Sequence, residues 1–284
     1  MSIEWQNLDD VPSMAGLYTR AALRRKITGS QLPHTGLRAW LSIDPKSLAT
    51  FRNVCNVGDS SLLPPTYPHV MAFPLQMQLL TAHDFPFPLL GLVHLDNTIR
   101  LLRPLGGLGR VRASVHVENL QAHSKGATFS LVTQVEDGLG PLWEEESTML
   151  CRGVKLEGEP PAELEAAPLP MIELRRWFAA KDTGRQYAKA SGDYNPIHLS
   201  ALSAKLFGFP QAIAHGMWSE ARALAALREH LPAANVEIQV HFKKPVRLPS
   251  EVVLSASAAG SSGQFSLHGK GDLLHMVGSW QPVA

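Results

Sequence analysis

Residues 191–198 read Ser-Gly-Asp-Tyr-Asn-Pro-Ile-His, and this octapeptide decides how the rest of the chain is interpreted. Pro196 lacks a backbone N–H and disfavours the helical conformation at Asn195, so the segment is predicted to bend. Asp193 and His198 are then held on a rigid turn, anchored by a short helix at 201–207. A carboxylate and an imidazole in this arrangement can hydrogen-bond one water molecule and act on it by proton transfer. The pattern also fits a structural turn, in which Asp193 closes an Asx-turn and His198 caps the next helix.

A second motif follows downstream, where residues 214–217 read Ala-His-Gly-Met. Together the two motifs resemble the signature of the MaoC-like family, the hotdog-fold (R)-specific enoyl-thioester hydratases and 3-hydroxyacyl-thioester dehydratases. The resemblance extends over residues 170–284. It implies that Asp193 and His198 form the catalytic pair, with Asp193 as general base and His198 positioning the water. It also implies that neither metal nor redox cofactor takes part.

The composition excludes several functional classes. A chain of 284 residues, 45% hydrophobic and 18% charged, is globular with one or two domains. Because 26 Lys and Arg balance 25 Asp and Glu, no global charge attracts nucleic acid or an anionic membrane. Prolines and charges interrupt the apolar stretch 70–95, so it is not predicted to span a membrane. The start has no leader pattern, and Cys55 and Cys151 have no metal-binding spacing, so a cytoplasmic location is expected.

Residues 153–170 are rich in Pro and Glu without periodicity, which predicts an exposed linker. The linker separates an N-terminal unit, 1–152, from a C-terminal unit, 171–284. Each unit is predicted to contain one buried helix, at 67–81 and at 216–231, with a further helix at 176–190. Period-two patterns predict four strands after each buried helix: 92–102, 110–119, 127–135 and 142–150 in the first unit, and 236–243, 251–258, 264–269 and 274–280 in the second.

The two units also share local sequence. Residues 68–71, Pro-His-Val-Met, parallel 214–217, and Arg-Leu-Leu-Arg-Pro at 100–104 parallels His-Phe-Lys-Lys-Pro at 241–245. The shared order and sequence indicate an internal duplication. With the family resemblance, they predict an α+β double hotdog, in which two antiparallel sheets each wrap a central buried helix and pair within one chain.

The duplication is asymmetric. Asp193 precedes His215 by 22 residues, whereas the similar Asp59 precedes His69 by only 10. The missing residues correspond to the Asn-Pro-x-His segment. The first unit is therefore predicted to have lost the catalytic piece and to serve as sheet partner and acyl tunnel.

The start of the second buried helix is predicted to stabilise the enolate oxygen that hydration of an enoyl thioester creates. Gly216 lies where backbone N–H groups have no intrahelical partner, so it is the third catalytic candidate. The matching residue in the first unit is Val70, whose side chain would obstruct that approach.

The substrate is expected to be a thioester of coenzyme A or acyl carrier protein. Asn195 and Met217 are predicted to bind it near the reacting carbon, although Asn195 also fits a structural role. Three basic residues are candidates for the carrier's phosphates: Lys243, Lys244 and Arg247. Arg222 is a further candidate, and any of these cations also fits an exposed strand edge.

Two other functions remain open. A non-catalytic acyl-thioester binding or scaffold protein would have Asp193 and His198 engaged in other hydrogen bonds. A hotdog thioesterase would need a carboxylate on or near the central helix, where Glu220 and Glu229 are available. No metal is predicted, because His83-Asp84 and His94-x-Asp96 lack a third ligand at a recognisable spacing, and His69 and His215 are interpreted as fold residues. A homodimer stays open.

Overall fold

The computed structural model describes residues 2–158, 167 and 169–283. The described strands are, in chain order, β1 (Glu4–Asn7), β2 (Thr35–Ser42), β3 (Val93–Leu101), β4 (Arg110–His123), β5 (Gly126–Asp137), β6 (Gly140–Arg152), β7 (Ile172–Ala179), β8 (Val236–Phe242), β9 (Ser250–Ala256), β10 (Gly263–His268) and β11 (Leu274–Pro282). The described helices are α1 (Met14–Leu23), α2 (Pro45–Cys55), α3 (Tyr67–Leu80), α4 (Thr183–Ser191), α5 (Pro196–Leu199), α6 (Ala201–Lys205) and α7 (Gly216–Ala226).

All eleven strands form one sheet in the order β1-β2-β4-β5-β6-β3-β8-β11-β10-β9-β7. The order β2-β4-β5-β6-β3 repeats in reverse as β8-β11-β10-β9-β7, so the chain consists of two copies of one five-stranded unit. The copies join edge to edge through the antiparallel pair β3 and β8, where Ile99 lies opposite Ile238. Strand β1 is an addition, parallel to β2 at the outer edge of the first half.

Each half carries a helix pair on the sheet. Helices α2 and α3 in the first half match α4 and α7 in the second. Helix α3 is buried along most of its length because its residues are apolar on all sides, and α7 buries Met217, Ala221 and Leu224. Apolar side chains of both halves form one continuous core. The predicted α+β double hotdog is confirmed.

Three element predictions were wrong. The segment 176–190 is not one helix, because β7 pairs with β9 through Ala179 before α4 begins. Each half has five strands rather than four, since β2 and β7 precede the helices. Helix α7 ends at Ala226 rather than near residue 231.

The prediction that Asp59 is the counterpart of Asp193 was also wrong. Helix α2 ends in the left-handed residue Asn56, and α4 ends in the left-handed residue Gly192, so these caps are equivalent. Val57 therefore takes the position of Asp193. The side chain of Asp59 is fully exposed and lies 4.0 Å from Arg52. The segment carrying α5 and α6 has no equivalent between α2 and α3.

The predicted linker at 153–170 falls partly on residues 159–166 and 168, which lie outside the described residues. Within 153–158, Gly153, Lys155, Glu157 and Gly158 are exposed, and Val154 is buried. The backbone N–H of Leu169 donates to the side chain of Gln264. None of the described helices combines the length and hydrophobicity that a membrane crossing requires.

Candidate active site

The octapeptide forms a tight loop between α4 and α5. Gly192 closes α4 with φ +80°, a conformation that favours glycine. The backbone N–H of Asn195 then donates to Asp193 Oδ1 at 3.0 Å, which is the Asx-turn. Asn195 Oδ1 in turn accepts the backbone N–H of Ile197 at 3.4 Å and caps α5. The turn uses one oxygen of Asp193 and leaves Oδ2 for other partners.

His198 is buried, and one ring nitrogen is committed to the backbone. Its Nδ1 lies 2.8 Å from the carbonyl oxygen of Ile213. Since a carbonyl can only accept, Nδ1 must carry the proton, and Nε2 is left with a lone pair. Among the described residues nothing donates to that nitrogen or to Asp193 Oδ2. Each group is therefore engaged through one atom, Asp193 through Oδ1 and His198 through Nδ1, and its other atom has no donor.

His215 belongs to the same cluster, although the sequence suggested only a fold role. Its ring stacks on His198 with centroids 3.6 Å apart. Its Nε2 lies 3.0 Å from the carbonyl oxygen of Asp193 and 3.7 Å from Asp193 Oδ2. The imidazole therefore donates to the loop of residues 191–198 and holds Asp193 in place. In the sequence, only the position of His215 directly before Gly216 indicated that it lies in this cluster.

The charge states follow from this packing. Burial and then the neighbouring His215 lower the pKa of His198 to about 3, so its imidazole is neutral at physiological pH. Burial raises the pKa of Asp193, but His215, His198 and the N–H of Asn195 lower it, and the net shift is downward. The site thus presents an ionised carboxylate beside a neutral imidazole, two hydrogen-bond acceptors that face one space.

The start of α7 supplies donors to that space. His215 is the N-cap, and the first intrahelical bond runs from Ser219 N–H to its carbonyl oxygen. The N–H groups of Gly216 and the next two residues precede that bond and have no intrahelical partner. A Cβ at Gly216 would lie 3.1 Å from the ring of Phe242, so packing also favours glycine here.

The first half reaches the loop through Tyr18 on α1. The backbone N–H of Tyr194 donates to the Tyr18 hydroxyl at 2.6 Å, and the hydroxyl lies 3.0 Å from the carbonyl oxygen of Gly192 and 3.4 Å from Asp193 Oδ1. Tyr18 thereby ties three consecutive residues of the loop. No sequence signal pointed to it, because the contact joins residues more than 170 positions apart.

Replacing Tyr18 by Phe is expected to lower kcat/KM by about ten- to a hundredfold. The change removes the nearer of the two acceptors of the Tyr194 N–H, leaving the Gly192 carbonyl oxygen at 3.1 Å, and releases the loop that positions Asp193 from α1. The matched control is Tyr194→Phe, because the Tyr194 hydroxyl makes no hydrogen bond within the described residues. Equal rates for the Tyr18→Phe variant and the unmodified chain would show that α1 does not position the loop.

Two further side chains of the first half lie near the loop. His69 Nδ1 and Glu145 Oε2 are 2.8 Å apart, and Asn97 donates to the other carboxylate oxygen at 2.9 Å. Burial opposes both charges, but their mutual attraction raises the pKa of His69 and lowers the pKa of Glu145. The His69 member of this pair is the one that acts on Asp193, and its positive charge lowers the pKa of that carboxyl.

The predicted substrate-binding residues are placed unevenly. Met217 is buried in the core, and Asn195 is occupied by its helix cap. Lys243, Lys244 and Arg247 are exposed on the segment that follows β8. Arg247 forms a β-bridge with Ile213, which brings that segment beside the carbonyl that holds His198.

Arg222 lies apart from these three cations. Its guanidinium is over the ring of Trp177 and reaches the carbonyl oxygen of Cys55. A joint phosphate site with Lys243, Lys244 and Arg247 is therefore not formed.

The donor set of Asp193, His198 and His215 is compact, with one ligand atom of each within 4.8 Å of the others. A metal ion is bound about 2.0 to 2.1 Å from an imidazole nitrogen, and the bonding lone pair lies in the plane of the ring. The rings of His198 and His215 lie nearly parallel, 3.6 Å apart with an interplanar angle of 25°, so both lone pairs cannot meet at one ion. The arrangement suits proton transfer better than metal binding.

Comparisons with known proteins agree with this geometry. The model of the MaoC like domain matches residues 155–275. The 3-hydroxyacyl-thioester dehydratase X of Mycobacterium tuberculosis is 39% identical over 227 residues, covering 78% of this chain and 79% of that protein. The peroxisomal enoyl-CoA hydratase 2 of Arabidopsis thaliana is 29% identical over 153 residues, 48% of each chain.

A solved structure extends the likeness to the whole architecture. The crystal structure of HtdX from Mycobacterium tuberculosis superposes with a TM-score of 0.77 at 32% identity, covering 87% of this chain and all of that one. Both halves, and not only the C-terminal one, are therefore shared. The chain belongs to the MaoC-like dehydratase family.

Proposed function

We propose that the chain is a hydro-lyase that interconverts trans-2-enoyl and (R)-3-hydroxyacyl thioesters. One observation carries the proposal: Asp193 Oδ2 and His198 Nε2 are two acceptors without donors, beside the open N–H groups at the start of α7. The names of the two relatives support the reaction class. The thioester is carried by coenzyme A or acyl carrier protein.

In the hydration direction, one water molecule donates hydrogen bonds to Asp193 Oδ2 and His198 Nε2, and the hydrogen bonded to His198 stays on the oxygen. Asp193 takes a proton as the oxygen bonds to the β carbon. The electrons of the double bond move to the thioester oxygen, which becomes an enolate. As the enolate collapses, the proton held by Asp193 goes to the α carbon, so that water has been added without net change at the protein. Dehydration follows the same steps in reverse.

The enolate oxygen needs donors that are already aimed at it. The N–H of Gly216 and the positive end of α7 fulfil that need without reorganisation. A donor of this kind contributes about 3 kcal/mol to lowering the barrier. The matching N–H in the first half is at Val70, where no Asp and His pair is present, so one site works per chain.

The experiment that tests the proposal follows the loss of enoyl-thioester ultraviolet absorbance with crotonyl and longer trans-2-enoyl substrates on both carriers. We expect turnover by the unmodified chain and a loss of about a hundredfold or more in His198→Gln. Binding of these thioesters without any turnover would favour a scaffold protein. Release of free thiol would favour a thioesterase.

The pH dependence gives a separate prediction. Because the pKa of His198 is about 3 and that of Asp193 is lowered, both groups keep their working states across the neutral range. We expect kcat/KM to stay constant from about pH 5 to 8 and to fall only in more acidic solution, as Asp193 gains a proton. An acid limb near the ordinary pKa of histidine would contradict these charge states.

The carboxylate that a thioesterase would use on α7 is not available for chemistry. Glu220 is fully buried, and neither carboxylate oxygen has a hydrogen-bond partner among the described residues. Burial, and then the nearby Glu145, raise the pKa of Glu220 well above its ordinary value. This shift favours the protonated form of Glu220, which is a poor nucleophile.

This burial predicts a pH-dependent stability. A carboxyl whose pKa is raised by folding stabilises the protein fully below its unfolded pKa, and the effect is lost as pH rises towards the folded value. Glu220→Gln should therefore gain stability relative to the unmodified chain as pH rises above about 5, by up to ~1.4 kcal/mol per pH unit. Urea unfolding at several pH values measures the difference. Exposed Glu229→Gln is the control, and parallel curves for Glu220→Gln and the unmodified chain would refute the assignment.

A further inference from the structure

A cavity of about 540 Å³ opens between the two halves, and none of residues 191–198 lines it. It lies between the C-terminal end of α2, strand β7 and the C-terminal part of α7. Five arginines line it: Arg52, Arg175, Arg176, Arg222 and Arg228. Of the described residues that line it, Glu229 alone is acidic. The lining therefore carries more cationic than anionic side chains, although Arg52, Arg176 and Arg228 each lie beside a carboxylate.

Two residues of the lining carry a donor that lacks an acceptor. Arg52 Nε and Trp177 Nε1 are shielded from solvent and have no hydrogen-bond partner in the described part of the chain, while another nitrogen of the Arg52 guanidinium donates to the carbonyl oxygens of Ser60 and Leu62. Arg222 is partly buried and makes one long bond of 3.5 Å to the carbonyl oxygen of Cys55. Arg176, by contrast, is paired with Glu173 and Glu251. Buried donors and an unpaired guanidinium are unfavourable unless an acceptor meets them.

The duplication shows what this position holds in the other half. The cleft between α2 and α7 corresponds to the cleft between α4 and α3. There α1 fills the space, with Tyr18 bonded to Gly192, the equivalent of Asn56, and Arg20 bonded to Gln78 on α3. No described helix of the chain covers the cleft between α2 and α7. The cleft between α2 and α7 is therefore open and lined with arginines, whereas α1 fills the equivalent cleft between α4 and α3.

We propose that this arginine-lined cleft binds a pyrophosphate-bearing small molecule. Guanidinium groups form paired hydrogen bonds with phosphate oxygens, and a cavity of this volume suits a small ligand. Arg222 and Arg228 follow Gly216 on the same segment. At a rise of about 1.5 Å per residue, Arg222 lies about 9 Å along α7 from Gly216. The site is separate from Lys243, Lys244 and Arg247, and it requires no turnover of a thioester.

Calorimetric titration of the full chain with inorganic pyrophosphate tests the proposal without any thioester present. We expect saturable binding of one equivalent that weakens as salt is raised. The double variant Arg175→Gln/Arg228→Gln should bind at least tenfold more weakly, because it removes two charge-assisted contacts. Neither side chain holds the fold, since Arg175 is exposed and Arg228 pairs with its exposed neighbour Glu229. The control Arg110→Gln/Arg152→Gln removes the same charge from exposed positions elsewhere.

Two further measurements, KM for thioesters with and without phosphate and the binding of ADP, identify the molecule that supplies the pyrophosphate group. If the group belongs to the carrier of the reacting thioester, the double variant raises KM for coenzyme A thioesters and leaves KM for pantetheine thioesters without phosphate unchanged. If it belongs to a separate nucleotide, ADP binds as pyrophosphate does and neither KM changes. The proposal is overturned if pyrophosphate does not bind, or if the control double variant loses as much affinity as Arg175→Gln/Arg228→Gln. The arginines would then serve only to cap the end of α2.

Discussion

Replacing Asp193 by Asn should lower kcat/KM for enoyl-thioester hydration by about a thousandfold or more. The amide keeps the shape of the side chain and the bond from the Asn195 N–H to Oδ1, but it cannot take a proton from water. The loss should fall mainly on kcat, because the base acts in the transition state rather than in binding. Steady-state rates with crotonyl thioester, together with circular dichroism to confirm folding, measure the effect.

The matched control is Asp59→Asn. Asp59 stands in a similar local sequence but is fully exposed in the structure, so its loss should leave the rate unchanged. Residual activity of Asp193→Asn within tenfold of the unmodified chain would mean that another group is the base, and the assignment of Asp193 would then be wrong.

Gly184→Ala should both destabilise the protein and abolish most of its activity. Helix α4 begins against α5 so closely that a Cβ on Gly184 would lie 1.9 Å from the carbonyl oxygen of His198. The backbone must move to admit the methyl group, which costs about 1 to 3 kcal/mol or more, and the movement displaces His198 itself. Thermal unfolding and the hydration rate measure the two effects.

Gly16→Ala provides the comparison within one chain. Gly16 lies in α1, and a Cβ there would meet nothing within 4 Å, so the change should be neutral or stabilise by about 0.5 to 1 kcal/mol. If Gly184→Ala unfolds at the same temperature as Gly16→Ala and keeps full activity, the close packing of α4 on α5 does not exist in solution.

Much of the fold could be predicted because burial leaves periodic patterns. In β4, buried Val111, Ala113 and Val115 alternate with more exposed residues, and α3 is apolar on every face. Strand β7 gave no such signal. It is the last strand of the sheet, and Arg176 faces solvent between Glu173 and Glu251, so only tertiary pairing with β9 makes it a strand.

The candidate site shows the same division. Asp193, His198 and Gly216 could be predicted because their chemistry depends on a short local turn and on a helix start. Tyr18 and the pair of His69 with Glu145 could not, since they reach the loop from the other half through the fold. The fold role expected for His215 agrees with its bond to the Asp193 carbonyl oxygen, but its stacking on His198 could not be predicted, because it depends on the path of the loop.

The three bonds made by the Tyr18 hydroxyl have a consequence for how this enzyme comes into being. The loop that carries Asp193 is joined to a helix near the beginning of the chain. During synthesis α1 emerges before the loop does. The proposed catalytic geometry is therefore completed only when the second half has folded against α1. A fragment that begins at the second half would contain every residue of the proposed catalytic set and still lack the tether. With both units in one polypeptide, the loop of the second half depends on a helix of the first half, so that the second half cannot be exchanged alone.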